Sequence, residues 1–386
     1  MKTYTLGTHR TVPPIETLAR VRPMFPAMGI TRLANITGLD TIGIPVAQDI
    51  RPNSRSLAVS QGKGVDLPSA LASAAMESIE GWHAENTGGP LQHRSYLDML
   101  RHGFPAADPY QLPASPDHPF LPHQPILWME GEDWLARKNV WAPFSLVHTA
   151  YLVPHNQDGF FGSSSGLASG NQLHEAITHA LCELMERHTI AGLDTLDDAS
   201  LHARRIDLDT VDDETCRAIL RKLRDAGVHT VVHDATTNFD VPCFRAVIYD
   251  ADPGPFRRVV TAGGYGCHTV REVALLRAIT EAAQSRLTYI AGSRDDMQPD
   301  EVERATDPAL ASAMHALPPG TRSFTQIPTH HHDTFEQDVA FLLARLDACG
   351  FHSAILFNLT QPQFEIPVVR AIVPGIRNVM YTFHTP

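Results

Sequence analysis

Three stretches of this sequence place carboxylate or amide side chains three residues apart among small and apolar neighbours. They are SAAMESIEGW (73–82), HALCELMERH (179–188) and RAITEAAQSR (277–286). Side chains at i and i+3 share a helix face, so Glu77 projects with Glu80, Glu183 with Glu186, and Glu281 with Gln284. From residue 67 to residue 84, Glu77 and Glu80 are the only Asp, Glu, Lys or Arg. A buried carboxylate left bare costs roughly several kcal/mol, so such groups must be paired or bind a metal. Three such helices converging would form a cage of hard oxygen ligands. Glutamates beside phosphate-binding groups, with no Cys/His cluster, favour magnesium over zinc. The plain alternative is that glutamates at this spacing simply face solvent, as most do.

Two loops could serve an anion next to those helices. In VSQGKG (59–64), glycines flank Lys63, which lets backbone approach a phosphate while the lysine supplies a point charge. The long glycine spacing and the Ser/Thr of a Walker loop are missing, and an ordinary turn is the alternative. GSSSGLASGN (162–171) leads into the helix of Glu183 and Glu186, offering N–H groups and hydroxyls to a phosphate, or merely an N-cap on a solvated loop. Arg187 and Arg286 lie close enough in sequence to pair with the carboxylates or to clamp phosphate oxygens. THHHD (329–333) invites a metal reading, but adjacent loop histidines cannot all face one ion, so it reads as surface. His83 and His188 read as packing or helix-surface residues.

Positioning these groups requires helices, expected at 68–84, 173–192, 213–226, 269–291 and 333–348. Asp333 would cap the last, and Gly192, Gly227, Gly292 and Gly350 would close their helices. Strands are expected at 230–233, 243–249, 258–262, 353–358 and 368–373, where β-branched residues cluster. Proline-dense 102–125 and segment 316–332 read as loops. Long β-containing blocks separate the glutamate helices, so the fold class is α+β, mixed sheets with packed helices. At 386 residues the chain is expected to be a single domain, 1–386, whose N-terminal part (to about Val140) and later part can be two lobes.

The net charge of −12 argues against a nucleic-acid partner. The N-terminus lacks an apolar signal region, and no run of about 18 apolar residues could span a membrane. The five cysteines (Cys182, Cys216, Cys243, Cys267, Cys349) are scattered without a CxxC. They read as buried hydrophobes of a cytoplasmic protein rather than a disulfide frame or zinc site.

Taken in order, SQGKG, SAAMESIEGWHAE, SSSGLASGNQLHEAITHALCELMERH and GYGCHTVREVALLRAITEAAQSRLTYIAGSRDD resemble the successive signatures of the YcaO family. GTHRTVPPIETL, GITRLANITGLDTIGIPV and the closing IPVVRAIVPGI are similar too, so the resemblance runs from about Thr8 to Ile376. It implies a YcaO fold binding ATP and Mg2+ through glutamates of three helices. It also implies activation of a peptide backbone amide, whose oxygen attacks ATP and is then replaced by a nucleophile. A neighbouring Cys, Ser or Thr gives an azoline, sulfide a thioamide, and an amine an amidine. By motif position, Glu77, Glu80, Glu183 and Glu186 would be magnesium ligands. Lys63, Ser73, Asn171, Arg187, Gln284 and Arg286 would contact ATP, with Lys63 and Arg286 on phosphate, and Glu281 would hold a metal or orient an arginine. Catalytic roles fall to Lys63, Arg286 and Glu281.

The tail YTFHTP lacks the Pro-x-Pro-x-Pro end of many azoline-forming members, and PGIR stands where PGLE is usual. No length remains for a fused leader-binding or E1-like domain. The chain resembles stand-alone members that pair with a TfuA-type protein and install thioamides. Azoline formation and a non-catalytic ATP-binding accessory role are the alternatives. Expected partners are a peptide or protein substrate, a TfuA-like protein and a second copy of the chain as a homodimer.

Overall fold

The computed structural model describes residues 1–151, 157–252, 258–294, 296–378 and the backbone of 382–383. The rest of the YTFHTP tail lies outside the described residues.

The helices that matter for function are α1 (Leu67–Glu85), α2 (Leu173–Leu193), α3 (Glu214–Asp225), α4 (Arg271–Ala291) and α5 (Phe335–Ala348). The strands of three or more residues are β1 (Arg32–Asn35), β2 (Val46–Ile50), β3 (Val59–Lys63), β4 (Leu91–Arg94), β5 (Ile126–Asp133) and β6 (Lys138–Pro143). They continue with β7 (Leu167–Ser169), β8 (His229–Asp234), β9 (Cys243–Tyr249), β10 (Thr261–Cys267), β11 (Ile355–Asn358) and β12 (Val368–Ile372). The class is α+β, as expected. The chain divides into two compact units, one of 1–53, 57–78 and 192–333, the other of 54–56, 79–191 and 334–386. The division falls inside α1.

In the first unit, β1, β2 and β3 form one antiparallel sheet and β8, β9 and β10 another. α4 lies across β10 at a distance that only glycine permits. A Cβ on Gly264 would sit 2.2 Å from the Ala282 nitrogen, and one on Gly266 2.1 Å from the Ala274 oxygen. The core joins Ile219 and Leu223 of α3 to Phe244 of β9, Phe324 and the alanines of α4. Asp213 caps α3, its Oδ1 accepting the Cys216 N–H at 2.8 Å.

The second unit is built on an antiparallel sheet ordered β4-β5-β11-β12-β7, with β6 pairing β5. α5 begins at a capping box in which Thr334, not Asp333, is the N-cap, exchanging hydrogen bonds with Gln337. Threonine wins because its hydroxyl is placed to take the N3 N–H while Gln337 reaches back. Gly192 does not stop α2, which runs on to Leu193, whereas Gly292 ends α4 in the left-handed conformation (φ 58°). Among the described residues no helix is long and apolar enough to cross a membrane.

Candidate functional site

In the first unit, Lys63 stands at the end of β3. Residues 59–63 are therefore a strand rather than a loop or turn. Gly62 and Gly64 serve the approach of α1: a Cβ on Gly62 would lie 2.0 Å from the Ala74 nitrogen, and one on Gly64 2.5 Å from the Ser69 Cβ. The glycines expected to admit an anion thus admit a helix. Lys63 Nζ donates to Glu281 Oε2 at 2.9 Å, each side chain 20% exposed, and the Tyr265 N–H donates to Glu281 Oε1 at 3.1 Å. The ammonium is held by a carboxylate that is itself held by the sheet. Gln284, three residues on, donates from Nε2 to the Gln61 carbonyl at 3.2 Å. Its buried Oε1 has no hydrogen-bond partner among the described residues. Thr288 donates its hydroxyl proton to Gln61 Oε1.

Helix α1 is capped by Asp66, whose Oδ1 accepts the Ser69 N–H at 2.8 Å. Ser73, Glu77 and Glu80 follow at intervals of four and three along one half-buried face, while Ala70, Ala74 and Ile79 are fully buried. Asp49 on β2, which lies in none of the motifs above, is buried beside Ser78. Burial lifts its pKa from 3.8 to about 7, with the Glu77 charge adding and Ser78 and Arg51 opposing.

Arg286 departs from the role expected of it. Its side chain is 2% exposed and bridges two carboxylates, Asp40 at 2.9 Å and Asp250 at 2.8 Å. A guanidinium so enclosed is a tie between α4 and its neighbours, and moving it to a phosphate would strand two buried carboxylates.

In the second unit, the small-residue loop donates to glutamates. The Ser169 N–H and Oγ reach Glu80 Oε1 at 2.8 and 2.7 Å, and the Gly166 N–H reaches Glu183 Oε2 at 3.2 Å. Gly166 has φ +82° with the Ala371 oxygen 2.4 Å from a would-be Cβ, so this donor exists only with glycine there. Arg187 lies 3.6 Å from Glu183 Oε1, a loose pair. Asn171 Nδ2 donates to Glu175 Oε1 at 3.3 Å. Glu186 is 2% exposed on α2. His188 accepts the Arg377 N–H at Nδ1 (3.0 Å), and burial lowers its pKa, which fits a packing residue.

Among the described residues no group of three or more His, Cys, Asp or Glu is arranged around a metal position. The chemistry of the carboxylate set nevertheless fits a hard cation. Glu77, Glu80, Glu183 and Glu186 offer only oxygen, and the Arg187 contact on Glu183, at 3.6 Å, is long enough to yield. His330 of the THHHD run is tied down, its Nε2 bonded to the Asp240 carbonyl at 2.8 Å.

A family model described as "YcaO cyclodehydratase, ATP- and Mg2+-binding" matches residues 61–377. The chain belongs to the YcaO family. It is 37% identical, over 95% of its length and 88% of the relative's, to an uncharacterized protein in the tfuA 3' region of Rhizobium leguminosarum bv. trifolii. The YcaO protein of Methanopyrus kandleri, solved with AMPPCP and Mg2+, superposes with a TM-score of 0.77 at 21% identity, covering 100% of this chain and 98% of that one. A heterocyclase in complex with substrate and cofactor gives a TM-score of 0.80 at 22% identity, covering 96% of this chain and 53% of that one. This chain thus spans about half of that heterocyclase. At these identities the two superpositions establish the YcaO fold.

Proposed function

We propose that the chain is an ATP- and Mg2+-dependent enzyme that activates a backbone amide of a peptide or protein and exchanges its oxygen for sulfur. The observation that carries the amide-activation reading is the set of buried and half-buried glutamates on α1 and α2, with the Lys63–Glu281 pair, in a chain of a family described as ATP- and Mg2+-binding. The relative in the tfuA 3' region supports the thioamide branch and a TfuA-like partner.

Glu77, Glu80, Glu183 and Glu186 would hold magnesium, and Lys63, Ser73, Asn171, Arg187 and Gln284 would contact the nucleotide. When bound, Mg2+–ATP supplies an electrophilic phosphoryl group and the charge that neutralises it. Glu281 holds the Lys63 ammonium in place at 2.9 Å, which removes the reorganisation a free lysine would need. The uncommitted Gln284 Oε1 accepts a hydrogen bond, as an adenine amino group or ribose hydroxyl requires. Glu183 shields its charge with one N–H and a long arginine contact, leaving oxygen lone pairs for a cation. Arg286 organises the helix bearing Glu281 and Gln284.

The family description as a cyclodehydratase favours a second reading, azoline formation on Cys, Ser or Thr. Mass spectrometry of a treated peptide separates the two: oxygen-to-sulfur exchange adds about 16 Da, and loss of water removes about 18 Da. Phosphate release without any stimulation by peptide would reject both and leave an accessory role.

A further inference from the structure

A cavity of about 420 Å³ opens where α1 ends, within the second unit, beyond the face that carries Glu77 and Glu80. Its volume suits a residue or two of a polypeptide. Its walls include Arg55, Glu85 to Thr87, Phe144 and His148.

Glu85, Asn86, His148 and the backbone of Arg55 are each fixed by hydrogen bonds. Glu85, 6% exposed, accepts at Oε1 from the Ser54 hydroxyl at 2.7 Å, from the Ser56 N–H at 3.0 Å and from the Ser56 hydroxyl. That carboxylate is a tether for the turn 54–56. The turn is also held from the other side, where the Tyr151 N–H donates to the Arg55 carbonyl at 2.9 Å. Arg55 therefore leaves a fixed backbone, yet its guanidinium has no hydrogen bond or ion pair among the described residues. His148 is 5% exposed and accepts the Ala150 N–H at Nδ1, 3.1 Å away. That bond makes Nδ1 an acceptor and so places the ring proton on Nε2. The Phe144 ring packs on it with centroids 4.5 Å apart. Asn86 is held at both ends, Nδ2 to the Trp82 carbonyl at 2.8 Å and its own carbonyl to Gln361 Nε2 at 2.7 Å.

We propose that this cavity recognises a carboxylate carried by a polypeptide, paired to Arg55, with the packed His148 and Phe144 rings beside the aliphatic stem. The planar guanidinium matches a carboxylate in bidentate fashion. A doubly charged phosphate would meet one cation and the buried Glu85 charge, which a singly charged ligand tolerates better. A cationic ligand would compete with three protein donors for Glu85 Oε1. Asn86 and Thr87 offer the acceptor and hydroxyl that a flanking peptide amide requires. The carboxylate can be an Asp or Glu side chain or a chain's C-terminus.

The inference goes beyond amide activation and is tested without nucleotide, so the two readings fail separately. Protein labelled at histidine is titrated with N-acetylglutamate amide, which carries only a side-chain carboxylate, and with N-acetylglycylglycine, which carries only a terminal one. N-acetylglutamine amide is the neutral control. The His148 ring signal, assigned by its loss in H148Q, is expected to shift and saturate at millimolar concentration with at least one acid. Whichever acid does so names the source. R55A should weaken that binding at least about tenfold and R55K less, while the melting curve stays unchanged because Arg55 is exposed. Silence with both acids, an equal shift with the neutral control, or undiminished binding in R55A overturns the proposal.

Discussion

At the scale of single residues, the site is a set of carboxylates whose partners differ in how easily they let go. Glu183 carries one N–H and an arginine at 3.6 Å, so Glu183→Gln changes charge and almost no packing. We expect Glu183→Gln and Glu77→Gln each to abolish peptide-dependent phosphate release while far-ultraviolet circular dichroism stays that of the parent. Parental turnover at limiting magnesium in either variant would remove these residues from the metal set. Lys63→Ala should weaken nucleotide binding by about 1–3 kcal/mol, the range of a charge-assisted contact. The same variant leaves Glu281, 20% exposed, with its Tyr265 bond. Its calorimetric titration with ATP should therefore change more than its melting temperature. Arg286→Ala should do the reverse, since it strands Asp40 and Asp250, and breaking a buried pair costs about 3–5 kcal/mol.

At the scale of elements, closeness is the governing fact. Gly62 lets β3 touch α1, and Gly264 and Gly266 let β10 touch α4. Gly62→Ala and Gly264→Ala each drive a methyl into backbone rather than into a flexible side chain. Each should destabilise by about 1–3 kcal/mol or more, read as a lower urea midpoint at constant slope; an unchanged midpoint would mean that strand and helix are not so tightly apposed. This also explains what the sequence disclosed and what it withheld. The five helices α1 to α5 were legible to within two residues from long stretches of helix-forming residues, and Gly292 closes α4 where a cap was expected, although Gly192 does not close α2. The strand β9 was legible because CFRAVIY is rich in β-branched and aromatic residues. VSQGK and the TAGGYGC of β10 were missed or misplaced because glycine disfavours strands and reads as a turn. Only the helix lying on the strand gives those glycines a reason. The glutamate pairs were legible from spacing alone. Their donors, Ser169 and Gly166, were not, because a small-residue loop looks alike whether its N–H groups meet a phosphate or a carboxylate. Asp49 and the Asp40–Arg286–Asp250 triad carried no local signal at all, since their partners come from segments far apart in sequence.

At the scale of the whole molecule, the described histidines make stability a function of pH. His233 is 4% exposed, and burial first, then Arg245 and Arg205, lower its pKa from 6.5 to about 3. His9 is lowered to about 4 by burial and by Lys2, His331 and Arg10. His268 is pushed well down by burial and the same positive surroundings. A histidine depressed in the folded state contributes stability that is present above its unfolded value of 6.5. That contribution is lost as pH falls toward the folded value, because the unfolded chain then binds the extra proton. Asp49 acts with the opposite sign. Raised from 3.8 to about 7, it contributes stability at low pH that disappears as pH rises through that interval. Each group supplies at most about 1.4 kcal/mol per pH unit inside its window, so three histidines outweigh one aspartate between pH 6 and 5, about the middle of the range. The urea midpoint should therefore fall from neutral pH to pH of about 5. His233→Gln, which cannot take the proton, should make that fall shallower, and Asp49→Asn, which removes the opposing group, should make it steeper. An identical slope in the parent and His233→Gln would mean that this histidine is not held neutral by its burial. The acid lability would then have to arise from the carboxylates, whose own loss of charge acts in the same direction wherever they are paired.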